Sequence, residues 1–372
     1  MTDTTTDARR SPLHELHERL GASFTDFGGW LMPVRYTSDL AEHHAVRQAA
    51  GIFDISHMAE FRIEGADAAD FLDRALAGRI SSMKVGKAKY SLVLAADGGI
   101  VDDVIVYRIT EDEFLVISNA GNRAEVAAAF AAVDAGGARI DDITDRMSLI
   151  AVQGPSARSI LESTAGIEGV EPALVDMTYY SWAIGSFQGR SLFVARTGYT
   201  GEDGFELMVP NEVAADLWQA VTAAGADRGL VPAGLAARDT LRLEAGMPLY
   251  GHELSRDIVP AQAGLGRVVA ADKEAFVGKD VLAARALDDA PVLVGLVAEG
   301  RRAGRAGYAV LAGDDTVGEI TSGALSPTLG HPVAMAFVHP SASAEGTALT
   351  IDVRGTRIPA TVTALPFYRR QK

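Results

Sequence analysis

Two adjacent carboxylates, Asp102 and Asp103, lie in Gly98-Gly99-Ile100-Val101-Asp102-Asp103-Val104-Ile105-Val106-Tyr107, a run that otherwise reads as a buried β-strand. Asp is a poor strand former and a buried charge must be compensated, so acids at this place call for a reason. Asp97-Gly98-Gly99 offers the left-handed backbone of a tight hairpin after Tyr90-Ser91-Leu92-Val93-Leu94, which puts both acids just past the turn on the return strand. Strand alternation gives Asp103 the face of Val101, Ile105 and Tyr107, and Asp102 the face of Val104, Val106 and Arg108. They cannot work as a facing pair. An acid on an apolar, aromatic face suits a catalytic or ligand-orienting carboxylate; the plainer reading is a solvated strand end beside a turn.

A further candidate acid, Glu206, follows the glycine-rich loop of Thr197-Gly198-Tyr199-Thr200-Gly201-Glu202-Asp203-Gly204-Phe205-Glu206-Leu207. The glycines suggest a phosphate loop, but a phosphate cradle needs bare amides and positive charge, and this loop holds two acids with no Lys-Ser or Lys-Thr ending. Alternation sends Phe205 and Leu207 one way and Glu206 the other. There it either accepts hydrogen bonds from a heterocycle bearing N–H and NH2 donors or is a rim carboxylate. On the helical segment Leu235-Ala236-Ala237-Arg238-Asp239-Thr240-Leu241-Arg242-Leu243-Glu244-Ala245, residues Leu235, Arg238, Asp239 and Arg242 share a stripe. Guanidinium groups there meet a ligand carbonyl, an acid such as Glu206 or Asp239, or form a purely structural ion pair.

The elements that must position these residues follow from periodicity and punctuation. A helix is predicted over Asp39 to Ala50, capped by Asp39 with Glu42 three residues on and stopped by Gly51, and Phe53 to Met58 reads as a connector. Residues 59–142 read as strand, helix (66–77), paired strands, strand (114–117) and an Ala-rich helix (123–133), an α+β unit. A second mixed segment runs from Met147 to about Glu253, with strands near 149–152, 192–196 and 205–209 and helices near 213–224 and 235–245. Beyond Val292 short apolar runs (292–297, 308–311, 333–338, 348–353, 360–364) alternate with Gly- and Pro-bearing turns, which fits a small barrel or sandwich.

Composition narrows the function classes. With 372 residues and 48% hydrophobic content the chain is long enough for two or three domains. Met1 to Arg10, without an apolar run, reads as a loose tail rather than a signal or transit peptide, and no stretch approaches a membrane span. The net charge of −15 argues against nucleic acid or anionic membrane as a partner. Zero cysteines exclude disulfides, thiolate nucleophiles, iron–sulfur clusters and Cys-ligated zinc, and fit a cytoplasmic setting. His43 and His44 diverge on their helix, no metal-binding spacing occurs, and no metal site is expected.

Several segments together resemble one family, the aminomethyltransferases or T-proteins of the glycine cleavage system. They are Asp26-Phe27-Gly28-Gly29-Trp30, Phe53-Asp54-Ile55-Ser56-His57-Met58, Gly98 to Asp103, Gly198 to Glu206, Ala237 to Met247 and Ile320 to Gly330, in a match from about Ser11 to Arg369. The resemblance implies an α+β protein, a cloverleaf of three domains around a central folate channel with a C-terminal all-β, jelly-roll-like barrel. Its boundaries would be 1–54 with 143–275 for the folate-site domain, 55–142 for the domain carrying the catalytic Asp, and 276–372 for the barrel.

It also implies the reaction, in which the aminomethyl group on the lipoyl arm of H-protein passes to tetrahydrofolate, giving 5,10-methylenetetrahydrofolate, ammonia and the reduced arm. Asp103 matches the family's catalytic acid and Asp102 its less critical neighbour. Glu206 and Arg238 match residues that hold the pterin; Tyr90, Tyr107, Tyr180, Tyr199, Met58 and Asn119 match channel positions, and Arg369 a C-terminal contact of the site. Arg267 stands where relatives often carry Trp. The H-protein partner, acidic in the family, is expected on a locally basic rim. Related chains of sarcosine and dimethylglycine catabolism carry a flavin domain that this sequence does not show, and folate binders that assist iron–sulfur assembly carry a cysteine; a non-catalytic folate-binding homologue is the remaining alternative.

Overall fold

The computed structural model describes residues 8–370. The loose tail expected over Met1 to Arg10 lies partly outside them; within them, Arg9–Arg10 is a short strand pairing in parallel with Trp30–Leu31. The chain divides into two compact units. Among the described residues, one holds 8–73, Ile80–Tyr90 and Val104–Arg238; the other holds Arg74–Arg79, Ser91–Asp103 and 239–370.

The first unit is organised by a seven-stranded sheet in the order Ile167–Glu171, Trp182–Phe187, Arg190–Ala195, Gly204–Pro210, Met147–Gln153, Ala50–Asp54, Leu230–Pro232. The apolar face of Gly204–Pro210, Phe205, Leu207 and Val209, packs with Leu217 and Trp218 of the helix Asn211–Gly225. Glu206 points the other way, as alternation predicts, and its cross-strand neighbours are Ala151 and Ala195. Two alanines leave space beside the carboxylate.

Two expectations fail at Ala50–Asp54. It is a fully buried strand between two neighbours, not a helix end and connector, and Gly51 lies within it. The preceding helix spans Asp39–Gln48 and is capped by Ser38, whose hydroxyl accepts from Ala41 N at 3.4 Å. Glu42, no partner of a capping box, instead accepts from the amides of Tyr36, Thr37 and Gly234 at 2.8–2.9 Å. The strand closes on Asp54, whose burial is compensated: burial alone would raise its carboxyl, but His17 at 2.9 Å, Ser11 at 2.5 Å and the Ser56 amide outweigh it and hold the group below the usual carboxylate range.

The predicted hairpin forms. Gly98 takes φ +85°, Gly98 N donates to Ala95 O at 2.9 Å and Ala95 N to Gly99 O at 2.8 Å, between the strands Ala88–Leu94 and Ile100–Arg108. The C-terminal region is a closed six-stranded barrel in the order Val292–Ala298, Pro332–Val338, Asp315–Leu325, Ala309–Ala312, Ala348–Val353, Thr356–Thr363, filled by Leu296, Val338, Ile351 and Val362. Asp315–Leu325 is absent from the sequence-based reading although it is the longest of the barrel strands. Its Gly318 and Gly323, its polar residues and a register shift between Ile320 and Ser322 hide the alternation.

Candidate active site

The glycine-rich loop shows why its acids do not serve a phosphate. Glu202 is ion-paired with Arg47 at 3.0 Å, and Asp203 takes two bonds from Arg196 at 3.0 and 2.7 Å. Both are clamps. Gly198 and Gly204 enclose the Gln153 amide so closely that a Cβ at either would lie 2.0 or 2.4 Å from it. Gln153 in turn accepts from Thr200 at 2.9 Å and donates to Thr197 O at 3.1 Å. The loop is thereby fixed to the sheet, and Thr197 is buried at its start.

From that anchor a connected cluster follows. Thr197 Oγ1 donates to Glu206 Oε2 at 2.5 Å and lies 3.1 Å from the Tyr107 hydroxyl, which is itself 3.5 Å from the same carboxylate oxygen. Burial, reinforced by the charge of Glu206, pushes the Tyr107 phenol well above its ordinary range, so it stays a donor. The Arg238 guanidinium lies over the Tyr199 ring, 4.9 Å from its centroid. Burial lowers its basicity while the Glu206 charge opposes this, and its Nη1 is buried with no hydrogen-bond partner among the described residues. Tyr180, electrostatically coupled to Tyr107, has φ +61°. That conformation is uncommon for a bulky residue, and it is held by bonds from Tyr180 N to Arg196 O at 3.0 Å and from Ala88 N to Tyr180 O at 2.9 Å.

The sequence-predicted residues therefore divide. Tyr107, Tyr180, Tyr199, Glu206 and Arg238 form one connected cluster in the first unit. Met58, half-buried, follows in the turn after the buried strand; Tyr90 ends the lysine-bearing segment Lys84–Lys89; Asn119 precedes the short turn Ala120–Asn122. Asp103 and Arg369 belong to the second unit. Asp103 is half-buried where Asp102 is fully buried, in keeping with the opposite faces expected of them, and Arg369 and Arg267 are exposed. Arg242 has separate company in Asp239, Glu253 and Ser322 at 2.8–3.0 Å. Thr197 and His57 carry no role predicted from the sequence. His57 is buried, its Nδ1 lacks a partner among the described residues, and burial together with the Arg238 charge pushes it down to about 4 against the pull of Asp54. It is a neutral imidazole. Only its place in Phe53–Met58 signalled it.

Chemically, a carboxylate acceptor, a guanidinium donor with a spare N–H and several aromatic faces suit a flat heterocycle that carries both N–H donors and a carbonyl. No group of three or more His, Asp or Glu side chains placed to hold a metal occurs among the described residues, and no helix among them is long and apolar enough to cross a membrane.

The fold defines a mixed α/β protein with a C-terminal closed barrel. Residues 13–273 match the GCVT N-terminal domain and 292–369 the glycine cleavage T-protein C-terminal barrel domain. The chain is 55% identical to the aminomethyltransferase of Cutibacterium acnes (98% of this chain, 100% of that one) and 53% identical to that of Streptomyces avermitilis (98% of each). The crystal structure of glycine cleavage system aminomethyltransferase T from Bartonella henselae superposes with TM-score 0.87 at 34% identity, covering 98% of this chain and 99% of that one. The chain belongs to the glycine cleavage T-protein family, the aminomethyltransferases.

Proposed function

We propose that this chain transfers the methylene of an aminomethyl group from the lipoyl arm of H-protein to tetrahydrofolate, with Asp103 as catalytic acid, Glu206 and Arg238 as pterin anchors, and Tyr90, Tyr107, Tyr180, Tyr199, Met58, Asn119 and Arg369 as further contacts. The observation carrying the anchor assignment is the pairing of Glu206, steadied by Thr197 at 2.5 Å, with an Arg238 that keeps one buried N–H unbonded. A pterin edge offers N–H donors to the first and a carbonyl to the second. The carbon–sulfur and carbon–nitrogen bonds of the aminomethyl group break as two bonds to folate nitrogens form, and the two folate N–H protons leave with the thiol and the ammonia. A carboxylate near the reacting nitrogens orients the folate and steadies the iminium charge that develops. Around the buried Tyr107 the surroundings are low in polarity, where a charge responds most to a fixed carboxylate. The proposal includes the three-domain division set out above, a cytoplasmic setting and a reaction that needs no metal.

Calorimetry of tetrahydrofolate binding to Glu206→Ala tests the anchor. Loss of a charged hydrogen bond in a desolvated site costs about 1.5–3 kcal/mol, so affinity falls roughly tenfold to a hundredfold. Unchanged affinity in a folded variant removes Glu206 from the site.

A further inference from the structure

The chain has six lysines, and three of them, Lys84, Lys87 and Lys89, fall within six positions in a segment, Ile80–Tyr90, without a single acid. In a protein of net charge −15 that concentration stands out. Lys84 and Lys87 are exposed, and between them Val85 is 44% exposed; Tyr179, alongside, is 43% exposed. Solvent-facing apolar side chains of this size within a basic strip are the composition of an interaction surface more than of a solvated loop.

The strip is rigidly placed. Gly86 O accepts from Trp182 N at 3.2 Å, Ala88 N donates to Tyr180 O at 2.9 Å, Gly86 N donates to Arg108 O at 3.1 Å, and Arg108 N donates to Lys87 O at 3.0 Å. Lys87 Nζ donates to Thr178 Oγ1 at 2.7 Å. Of the acids near these contacts, Glu111 is ion-paired with Arg108 at 2.7 Å, and Asp176 lies two residues before Thr178. The strip also adjoins the site. The carbonyl that Ala88 bonds belongs to Tyr180 of the cluster, and the residue after Lys89 is Tyr90.

We propose that Lys84, Lys87 and Lys89, with Val85 and Tyr179, form the docking surface for an acidic face of the lipoyl-bearing carrier protein. The inference rests on the function proposed above. A carrier too large to enter the site must stop at its edge and extend its arm, and on an acidic molecule a local basic strip steers an acidic partner to one place. The occupant is identified by charge complementarity and by position at the edge of the tyrosine cluster.

The test compares the full-length protein with Lys84→Glu/Lys87→Glu and the milder Lys84→Gln/Lys87→Gln, using lipoylated H-protein loaded with the aminomethyl group, at low and high ionic strength. Folate affinity is measured on each by calorimetry. Charge reversal should raise the KM for the carrier by roughly tenfold or more and flatten its salt dependence, with the Gln pair intermediate and folate affinity unmoved. An unchanged KM and salt slope in the reversed variant overturns the proposal. So does a change confined to self-association by sedimentation, which would make the strip a contact between copies of this chain. If the unaltered protein turns over no loaded carrier, the proposed function itself has failed, an outcome separate from either of these.

Discussion

Arg238 and Arg242 stand one turn apart on a single helix, Leu235–Glu244, and their surroundings differ in kind. Arg242 is saturated: it bonds Asp239 at 2.8 Å, Glu253 at 3.0 Å and Ser322 at 2.8 Å, and Glu253 also accepts from the Leu249 amide and the Thr321 hydroxyl. Its neighbour Glu244 is likewise filled, by Ser326 and by two bonds from Thr328. Arg238 has an aromatic ring, the field of Glu206 and a buried N–H without a partner. The acids near the glycine loop repeat the contrast. Glu202 and Asp203 are locked by arginines, whereas Glu206 is held by hydroxyls, which fix its position without neutralising it. Saturation by charge marks a brace, and a charge positioned by neutral groups marks a site with capacity left for a ligand.

The largest effect expected from that contrast lies on the strand Ile100–Arg108, where Asp102 is fully buried and Asp103 retains exposure. Asp103→Asn keeps the shape and removes the charge, so kcat should fall by roughly 10²–10⁴ while thermal stability holds. Asp102→Asn should lose stability more than rate. Single-turnover kinetics beside a thermal melt on both variants decides it, and an inactive Asp102→Asn with a near-normal Asp103→Asn inverts the assignment.

The two arginines come next. Arg242→Met leaves Glu253 buried without its cation, which costs about 3–5 kcal/mol of stability. Arg238→Met removes a buried charge that has no saturating partner, so stability should hold within about 1 kcal/mol. Tetrahydrofolate affinity by calorimetry should nonetheless fall roughly tenfold or more, as for loss of a charged hydrogen bond. Denaturant titration and calorimetry on the pair should give opposite profiles; equal destabilisation would mean that saturation does not separate brace from site.

Sequence periodicity placed both arginines on one stripe and could not tell them apart, because their partners are distant in the chain: Ser322 lies 80 residues from Arg242. The same limit hid the clamp of Arg47 on Glu202, 155 residues away. What local pattern does encode was legible. The Asp97–Gly99 hairpin, the outward turn of Glu206 between Phe205 and Leu207, and the helix Asn211–Gly225 follow from turn chemistry and alternation alone. Where local rules compete they misled. Ser38 and Asp39 are both good caps, and only the first has the extended backbone a cap requires, with φ −143°. The strand Ala50–Asp54 ends on a buried Asp whose compensation comes from Ser11 and His17, a nonlocal arrangement that strand propensity cannot register. Thr197 and His57 carry no pattern of their own, and their roles emerge only from what surrounds them.

His57 supplies the smallest and most specific probe of the Arg238 side. Burial is the main cause of its depression to about 4 and the Arg238 charge adds to it, whereas an imidazole in the unfolded chain titrates near 6.5. Between those values the unfolded chain binds more protons than the folded one, so stability rises with pH in that window. The contribution is fully present above about 6.5 and is lost as pH falls toward 4, by roughly 3–4 kcal/mol in all at about 1.4 kcal/mol per pH unit. Denaturant unfolding at pH 7, 6 and 5 should show this loss, and His57→Gln, which cannot titrate, should flatten that part of the curve. Arg238→Met should flatten it partly, because it relieves one of the two causes, and Arg242→Met should leave the slope alone. A slope unchanged in His57→Gln would assign the acid sensitivity to another group and detach His57 from the Arg238 cluster.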